Sequence, residues 1–256
     1  MKLNISKGNM YDFVTHTWNP IKGRCYHDCA YCYMKKNGKA LPLIYFDDTE
    51  LKGIFQRNQL VFIGSSNDVF ANEIPSDWIT RILDFCLEAT SYQKEGQKTR
   101  FWLQTKNPAR ILEFVNHPLL QSQRCVVCTT LETNRHYPEV MNNAPIPHER
   151  AVAMARIAEL GIKTYVTIEP IMDFDVDEFV ELIKMCKPEQ VNIGANTYKE
   201  VQVPQPIEGQ ILISLILQLL CFTKVKIKKN LKGRTLRNAI NDRIDKNYLF
   251  EKRDDD

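Results

Sequence analysis

The sequence predicts an α/β fold with a parallel sheet, and two observations support this class. Short apolar, β-branched runs alternate with segments of helical periodicity, about every 30 residues. Each of six such runs is followed by a helical segment, which is the pattern of parallel strands joined by helical crossovers. Either a doubly wound sheet or an incomplete β/α barrel fits this pattern, and periodicity alone leaves both open.

The six predicted strands lie between residues 13 and 193. The first, over residues 13–18, is the least regular. The second, over residues 60–64, is a continuous apolar run that ends in glycine, as in a strand buried on both faces. The other four are predicted over residues 100–105, 125–131, 163–168 and 190–193.

Helical segments fill the intervals between these strands. Ser76 is predicted to cap the helix that follows the second strand. Residues 147–160 are rich in alanine and stop before Gly161, a residue that suits the position after a helix. Asp175 starts a capping-box pattern before the next helix, and the last helix of this body is predicted over residues 207–222.

Charge divides the chain into two parts. The formal net charge is only +3, but residues 224–256 carry 11 basic and 6 acidic side chains. We therefore predict a body over residues 1–223 and a basic C-terminal extension over residues 224–256. The extension is either an arm that contacts phosphates, or an edge strand and amphipathic helix that close the open sheet, with lysines protecting the edge. The final three aspartates favour the second interpretation.

Composition argues against a membrane-spanning or disulfide-stapled protein. Eight cysteines in 256 residues are too few for a disulfide scaffold. The longest apolar run, residues 211–222, is shorter than the roughly 20 residues that span a bilayer. The first residues are polar and do not resemble a signal peptide. We predict a cytoplasmic protein with reduced thiols and without a membrane partner.

Three cysteines crowd into one short loop after the first predicted strand. Cys25, Cys29 and Cys32 have the spacing C-x3-C-x2-C. In a β/α barrel such a loop opens onto the face where active sites lie. Three thiolates can bind three irons of a [4Fe–4S] cluster and leave the fourth iron without a protein ligand. The three cysteines are therefore candidate iron ligands.

Other interpretations of the triplet stay open. A structural zinc site needs four ligands, and Cys125 and Cys128 do not complete the set, because they would point to opposite faces of a strand. A catalytic thiol needs no triplet, and three buried structural cysteines would not be expected in so polar and aromatic a loop. His27 is expected to order the loop by hydrogen bonding rather than to bind metal. The remaining cysteines are expected to pack in apolar helices: Cys86, Cys186 and Cys221.

The residues around the triplet resemble the radical S-adenosylmethionine (SAM) superfamily. Its signature is C-x3-C-x2-C with an aromatic residue, here Tyr31, before the last cysteine. Residues 18–33 are similar to the N-P-x-x-G-C-x-H-x-C-x-Y-C-Y run of the branch that contains spore photoproduct lyase. They differ from it at Arg24, which separates the glycine from the first cysteine.

A second resemblance covers most of the body, from about residue 15 to residue 197. Radical-SAM-like proteins of unassigned function, common in phages and bacteria, also open with T-W-N-P. They contain segments similar to residues 62–70, 103–108 and 168–171. We prefer this resemblance, which is related to the spore photoproduct lyase branch.

The resemblance implies a fold, two cofactors and a reaction. The fold would be an incomplete (β/α)6 barrel, and the cofactors would be SAM and a [4Fe–4S] cluster held by the three cysteines. SAM would bind the fourth iron. An electron from a reducing donor of the flavodoxin or ferredoxin type would cleave SAM to methionine and a 5′-deoxyadenosyl radical. This radical would abstract hydrogen from a substrate that the motif does not identify.

The resemblance also implies that SAM lies at the ends of the strands. Ser65, Ser66 and Asn67 follow the second strand, where family members hold the SAM amino group with a Gly-Gly-Glu-like stretch. This sequence lacks the Gly-Gly-Glu itself. The three residues fit equally well in a strand-to-loop turn, which favours small polar side chains.

Four further candidates follow the later strands. Thr130 and Glu132, at the end of the fourth strand, are placed to contact the ribose or the methionine carboxylate, and a carboxylate would suit the ribose hydroxyls. Glu169 follows the fifth strand and either contacts the cofactor or pairs with Lys106. Asn196 follows the sixth strand, where small residues would let the adenine approach the backbone.

These observations predict a radical SAM enzyme. The alternative within this class is a lyase that repairs a DNA lesion, which needs a hydrogen-donating cysteine or tyrosine at the mouth of the sheet. Among the cysteines outside the motif, only Cys128 is near a strand end. The alternative from another class is a non-catalytic metal-binding module that binds nucleic acid through its basic extension. Nucleic acid therefore stays open as a partner.

Overall fold

The main structural element is a sheet of parallel strands. A computed structural model describes residues 1–7, 10–36, 40–205 and 209–231. The strands of these residues are β1 (Asn4–Ile5), β2 (His16–Trp18), β3 (Ile21–Lys22), β4 (Tyr45–Phe46), β5 (Leu60–Ile63), β6 (Arg100–Thr105), β7 (Cys125–Thr130), β8 (Lys163–Ile168), β9 (Gln190–Ile193) and β10 (Lys224–Ile227). Eight of them form the main sheet in the order β1-β2-β5-β6-β7-β8-β9-β10, and β3 pairs with β4 in a separate antiparallel ladder.

The strand order follows the chain, and this decides between the two predicted architectures. From β2 to β10 every neighbouring pair is parallel, and β1 runs antiparallel to β2. A doubly wound sheet reverses its order at a switch point. The described strands show no such reversal, so the doubly wound alternative is wrong. The fold is a mixed α/β structure with a mostly parallel sheet that winds in one direction.

From β5 onward, α-helices occupy the connections between consecutive parallel strands. The connection from β2 to β5 contains β3, β4 and 3₁₀ turns but no α-helix within its described residues, so the prediction that a helix follows the first strand is wrong. The helices are α1 (Ser76–Glu88), α2 (Pro108–Ile111), α3 (Pro118–Gln121), α4 (Pro138–Met141), α5 (Pro147–Glu159), α6 (Val176–Met185) and α7 (Gly209–Leu220). Short 3₁₀ turns lie at Tyr33–Lys35, Asp48–Glu50, Leu112–Phe114 and Lys229–Leu231. The apolar faces of α1, α5, α6 and α7 pack against the sheet in one large core.

All six predicted strands are present, and three of them, β6, β8 and β9, have the predicted bounds. The first is shorter than predicted and begins at His16. The two edge strands, β1 and β10, were not counted among the six. Because β10 pairs with β9, the predicted C-terminal extension begins as a strand of the main sheet. Its residues from 232 onwards lie outside the described residues.

Two helix caps differ from prediction, and one helix end agrees with it. Pro75 occupies the N-cap position of α1, and Ser76 is already helical. Asp175 occupies the N-cap position of α6, but its carboxylate accepts from Nε and Nη2 of Arg135, at 2.8 and 2.6 Å, and makes no capping bond. Gly161 follows the C-cap of α5 with a φ of +76°, as predicted.

The two faces of the sheet have different surroundings, because alternate residues of a strand point to opposite faces. On the outer face, Val127 and Ile193 pack among the helices. On the inner face, Val126 packs with Trp102 and with the N-terminal segment, residues 10–14. Within that segment the Tyr11 ring lies 5.2 Å from the ring of Trp102, centroid to centroid. The segment therefore covers part of the inner face.

The remaining cysteines divide into buried and exposed residues. Cys86 and Cys186 are buried, as predicted. The prediction that Cys221 packs in a helix is wrong: α7 ends at Leu220, and the next residue is exposed. None of the helices in the described ranges is both long and apolar enough to cross a bilayer.

Candidate functional site

A cavity of about 500 Å³ opens at the carboxyl ends of the parallel strands. In β/α folds this is the end where loops bring functional side chains together. The volume lies in the range of small-molecule pockets, about 300–1,000 Å³. Its wall includes residues from the ends of several strands: Cys25, Cys29, Cys32, Ser65, Ser66, Asn67, Lys106, Thr130, Glu169, Asn196 and Lys228.

All three cysteines of the predicted motif line this cavity. None of the three forms a disulfide. Cys29 is 5% exposed, whereas Cys25 and Cys32 are partly exposed. Asp28 bends the loop with a φ of +50°, a conformation that aspartate adopts more readily than most residues. The cysteine loop, residues 25–32, therefore presents three thiols to one cavity.

His27 anchors the first half of the cysteine loop. It is 3% exposed, and its Nε2 lies 2.8 Å from Oδ2 of Asp68, a largely buried carboxylate that follows β5. The same oxygen accepts from Thr105 Oγ1 at 3.0 Å and from the backbone N–H of Lys106 at 2.8 Å. The prediction that His27 orders the loop by hydrogen bonding is confirmed.

Tyr31 anchors the second half of the loop. Its hydroxyl donates to Oε1 of Glu132, which is fully buried. Glu132 also accepts from Arg150 Nη1 at 2.8 Å and lies 3.1 Å from Lys106 Nζ. Unlike the other predicted cofactor residues, Glu132 does not line the cavity. It lies beneath the cysteine loop and supports it.

A third support for the loop comes from residues 140–143, around the end of α4. The Nδ2 atom of Asn142 donates to the carbonyl oxygen of Asp28 at 2.6 Å. The Nδ2 atom of Asn143 donates to the carbonyl oxygen of Tyr26 at 2.9 Å. These side chains bind backbone atoms of the loop, a use that no motif in the sequence indicates.

Burial and nearby charges keep two of the thiols protonated at neutral pH. Burial, together with the carboxylate of Asp68, raises the pKa of Cys25 to about 12. Burial also raises the pKa of Cys29, although the ammonium of Lys106 opposes this shift. Metals bind thiolates, so metal binding at this loop would release protons.

The two anchoring carboxylates are ionised despite their burial. Burial raises the pKa of Asp68, but His27 and the backbone N–H donors outweigh burial and lower it overall. Burial likewise raises the pKa of Glu132, but Arg150 and Lys106 outweigh it and hold the pKa at about 2. Each carboxylate therefore brings a negative charge close to the cysteine loop.

The segment after β5 brings three predicted cofactor residues to the cavity. Ser65 Oγ and the backbone N–H of Ser66 lie 3.2 and 2.9 Å from Oδ1 of Asn19. Asn67 Nδ2 donates to the carbonyl of Gly23 at 3.1 Å, whereas its buried Oδ1 has no partner in the described part of the chain. An unpaired buried acceptor is costly, and this one suits a ligand with a donor, such as an ammonium group.

Glu169 lies at the end of β8 and pairs with a lysine from the end of β10. Lys228 Nζ is 2.7 Å from Oε2, and Asn230 Nδ2 donates to Oε1 at 3.1 Å. Gly194 leaves room for this carboxylate, because a Cβ atom there would lie 2.9 Å from Oε1 of Glu169. Lys106, the ion-pair partner considered from the sequence, lies beside a different carboxylate.

Thr130 and Asn196 line the cavity, and their polar atoms also contact the protein. Thr130 Oγ1 lies 3.5 Å from Gln104 Nε2. Asn196 Nδ2 donates to the carbonyls of Tyr198 and Val201, at 2.9 and 2.7 Å. The side chain of Asn196 therefore orders its own loop.

Lys228 is a cavity residue that the sequence analysis missed. It is 3% exposed and follows β10, where Val225 and Ile227 pack in the outer core. Because side chains alternate along a strand, Lys226 and Lys228 lie on the inner face of the sheet. The alternation of lysine with apolar residues over 224–228 is the signal that points to this position.

The donor set fits an iron–sulfur cluster better than a single metal ion. Within the described residues, no three His, Cys, Asp or Glu side chains converge on a point that could hold one ion. A zinc ion would need its thiolates about 2.3 Å from a common centre. In a cluster, each thiolate binds a different iron, so the sulfur atoms do not share one centre. The three free cysteines that line this cavity supply thiols of the kind that such a cluster binds.

Cys125 and Cys128 do not form a second metal half-site. Cys125 packs in the outer core and Cys128 in the inner cluster, as strand geometry predicts. Both are fully buried, and burial raises the pKa of Cys125 to about 12. They serve as packing residues.

No protein-family model and no curated protein matches this chain. Among solved structures, the fold is similar to that of spore photoproduct lyase. A cysteine-to-serine mutant of that lyase aligns over 87% of this chain and 77% of its own, with a TM-score of 0.58 and 13% identity. The lyase in complex with dinucleoside spore photoproduct aligns over 91% of this chain and 65% of its own, with a TM-score of 0.55 and 11% identity. At these identities the similarity establishes the fold alone, and this chain spans less than two thirds of the second structure.

Proposed function

We propose that this protein is a radical SAM enzyme in which Cys25, Cys29 and Cys32 bind a [4Fe–4S] cluster. The observation that carries the proposal is the position of three free thiols, spaced C-x3-C-x2-C, around one cavity at the carboxyl ends of a parallel sheet. The resemblance of the motif to the superfamily and the fold similarity to spore photoproduct lyase both support it. We also propose that the sheet is the incomplete (β/α)6 barrel of this superfamily.

When bound and reduced, such a cluster supplies the electron that cleaves SAM to methionine and a 5′-deoxyadenosyl radical, which abstracts hydrogen from the substrate. The three thiolates would hold three of the four irons. The residues around them orient the loop, because His27 and Tyr31 anchor it on its buried side.

We propose that the segment after β5 receives the amino end of SAM. Asn67 has an unpaired buried acceptor, and Ser65 and Ser66 beside it line the same cavity. An ammonium group would satisfy the Oδ1 atom of Asn67. The other cavity residues proposed to surround SAM lie at the ends of later strands: Thr130, Glu169 and Asn196.

The electron would come from a reduced protein of the flavodoxin or ferredoxin type. The side of the cavity formed by the cysteine loop carries Arg24, Lys35 and Lys36. Basic residues beside the thiols suit an acidic redox partner, because complementary charge speeds association and fixes orientation.

The proposal is tested by anaerobic reconstitution with iron and sulfide, followed by addition of dithionite and SAM. Release of 5′-deoxyadenosine by the wild-type protein, and its absence in Cys32→Ala, supports the enzyme. Cys86→Ala is the matched control, because this thiol is buried in the outer core and lies outside the motif. A protein that binds zinc and releases no 5′-deoxyadenosine would instead be a metal-binding module.

A lyase that acts on a nucleic-acid lesion is the second candidate. Two observations favour it: Tyr11 lines the cavity as a tyrosine able to donate hydrogen, and the lining includes six Lys or Arg side chains against three carboxylates. A net positive wall suits a phosphate-bearing substrate. Cys128, the cysteine considered from the sequence, does not line the cavity. Consumption of dinucleoside spore photoproduct by the reduced, SAM-loaded protein would support this reaction, and an unchanged dinucleoside would exclude it for this lesion.

A further inference from the structure

Two largely buried carboxylates, Asp68 and Glu132, hold the cysteine loop, one on each side of its central cysteine. Each stretch between cysteines sends one side chain inward, His27 from the first and Tyr31 from the second. His27 contacts Asp68, and Tyr31 contacts Glu132. The two arrangements are similar, although the carboxylates follow different strands, β5 and β7.

Lys106 joins the two anchors into one unit. Its backbone N–H donates to Oδ2 of Asp68 at 2.8 Å, and its Nζ lies 3.1 Å from Oε1 of Glu132. Lys106 follows β6, the strand that lies between β5 and β7 in the sheet. Three neighbouring strand ends therefore fix the position of one loop.

We propose that Asp68 and Glu132 are positioning residues for the cysteine thiolates, and that their charges set the reduction potential of the bound cluster. They act on the loop through His27 and Tyr31. This inference rests on the proposed function, because it takes the three cysteines to be cluster ligands. It differs from the sequence-based expectation for Glu132, which was a cofactor contact.

Carboxylates as strongly buried as Glu132, at 0% exposure, and Asp68, whose side chain is 10% exposed, are rare in proteins. Such a group is retained when it is paired and hydrogen-bonded, because an uncompensated buried charge is very costly. Asp68 accepts from two side chains and from two backbone N–H groups, those of Phe70 and Lys106. Glu132 accepts from Tyr31 and pairs with two cations. Both are thus firmly held, and each can impose its geometry on the loop.

The negative charges of the two carboxylates are compensated in different ways. The charge of Glu132 is compensated by Lys106 and Arg150, whereas Asp68 binds a hydroxyl, backbone N–H groups and the imidazole of His27. Net charge and hydrogen bonding near a cluster set its potential. Removing the negative charge of Asp68 should therefore make the cluster easier to reduce.

The experiment uses the full chain, reconstituted anaerobically with iron and sulfide. The variants are His27→Ala, His27→Gln, Tyr31→Phe, Asp68→Asn and Glu132→Gln. Gln offers a donor at the position of the histidine Nε2, so His27→Gln is the conservative replacement. Tyr31→Phe removes one hydrogen bond of Glu132 but keeps its ion pairs, and it remains informative if Glu132→Gln fails to fold.

The matched control is Glu50→Gln. Glu50 is also buried, at 5% exposure, and it accepts from Trp18 Nε1 at 3.2 Å and pairs with Lys22 at 3.1 Å. The carboxylate of Glu50 binds Lys2, Trp18 and Lys22, and none of these residues belongs to the cysteine loop. The readouts are the rate at which a chelator removes iron and the midpoint potential from a redox titration followed by electron paramagnetic resonance.

We expect His27→Ala and Tyr31→Phe to bind the cluster about 10-fold more weakly than wild type, and so to lose iron faster, which is the low end of the effect of removing a group that orients metal ligands. His27→Gln should restore most of the wild-type rate. Asp68→Asn should raise the midpoint potential, and Glu50→Gln should change neither readout. If wild type holds a cluster but the anchor variants match Glu50→Gln, this inference is overturned and the proposed function stands. If wild type takes up no cluster, the proposed function is wrong, and this inference is wrong with it.

Discussion

The cysteine loop and the parallel sheet are stabilised in different ways. The sheet is held by backbone ladders and by many buried apolar side chains, whose contributions add up. The loop contains no helix or strand and depends on a few polar contacts, to Asp68, Glu132 and residues 140–143. A change in the loop should therefore alter metal binding without unfolding the protein. A change in the core of the sheet should lower the stability of the protein without altering metal binding.

The strongest test of this contrast is to remove single thiols. Cys25→Ala, Cys29→Ala and Cys32→Ala should each abolish cluster binding, because the loop has no spare thiol. Cys86→Ala removes a packed side chain and should cost roughly 1 kcal/mol of stability, or a little more, with full iron binding. Iron content and urea unfolding measure the two effects. Loss of the cluster in Cys86→Ala would show that the ligand assignment is wrong.

A change in the core of the sheet should have the opposite profile. Ile193 is fully buried on the outer face of β9, so Ile193→Ala should lower the free energy of unfolding by about 2–5 kcal/mol. Ile193→Val is the graded control, with an expected loss of about 0.5–1.5 kcal/mol. Both folded variants should bind iron as wild type does. Iron binding that falls in step with stability would remove the distinction between loop and sheet.

Acid should weaken the polar supports of the loop. Glu132 has a pKa of about 2 in the folded protein, below the roughly 4.3 of an unfolded glutamate. The unfolded state therefore binds more protons between these values, and stability falls as the pH drops from about 4.3 toward 2. We expect the urea midpoint of the cluster-free protein to follow this fall. The fall should be shallower in Glu132→Gln, and parallel curves would show that Glu132 does not contribute.

The mildest test compares the reactivity of thiols in the cluster-free protein. Cys221 is exposed and should react first with iodoacetamide. Cys86 and Cys125 should stay unmodified while the protein is folded, because both are fully buried and burial raises their pKa values, that of Cys125 to about 12. Peptide mass spectrometry after timed labelling measures the order. Early labelling of Cys125 would indicate that the outer core opens more readily than the structure implies.

The strands were predictable because their apolar runs are long and local. Continuous runs such as β5 and the regular bounds of β6, β8 and β9 follow from residues that are adjacent in the chain. The sequence left the winding of the sheet open, because strand order depends on contacts between distant segments. The edge strand β1 has only two residues, and its pairing depends on β2.

The site was predictable where a motif is local and not where it depends on distant contacts. The cysteine spacing pointed to the loop, and His27 was expected to make a hydrogen bond. The partners of His27 and Tyr31 were not identifiable, because they lie 41 and 101 residues further along the chain. The sequence correctly predicted that Glu132 lies at the end of a strand, but it did not predict that Glu132 is buried in an ion pair with Arg150.

These long separations in sequence have a consequence for the synthesis of the protein on the ribosome. The three cysteines leave the exit tunnel well before Glu132, and Lys228 follows last. During that interval the thiols have neither their supports nor a cavity around them. Loading of iron should therefore follow the completion of the sheet, and a nascent chain that stalls before β7 would expose three reactive thiols to oxidants in its surroundings.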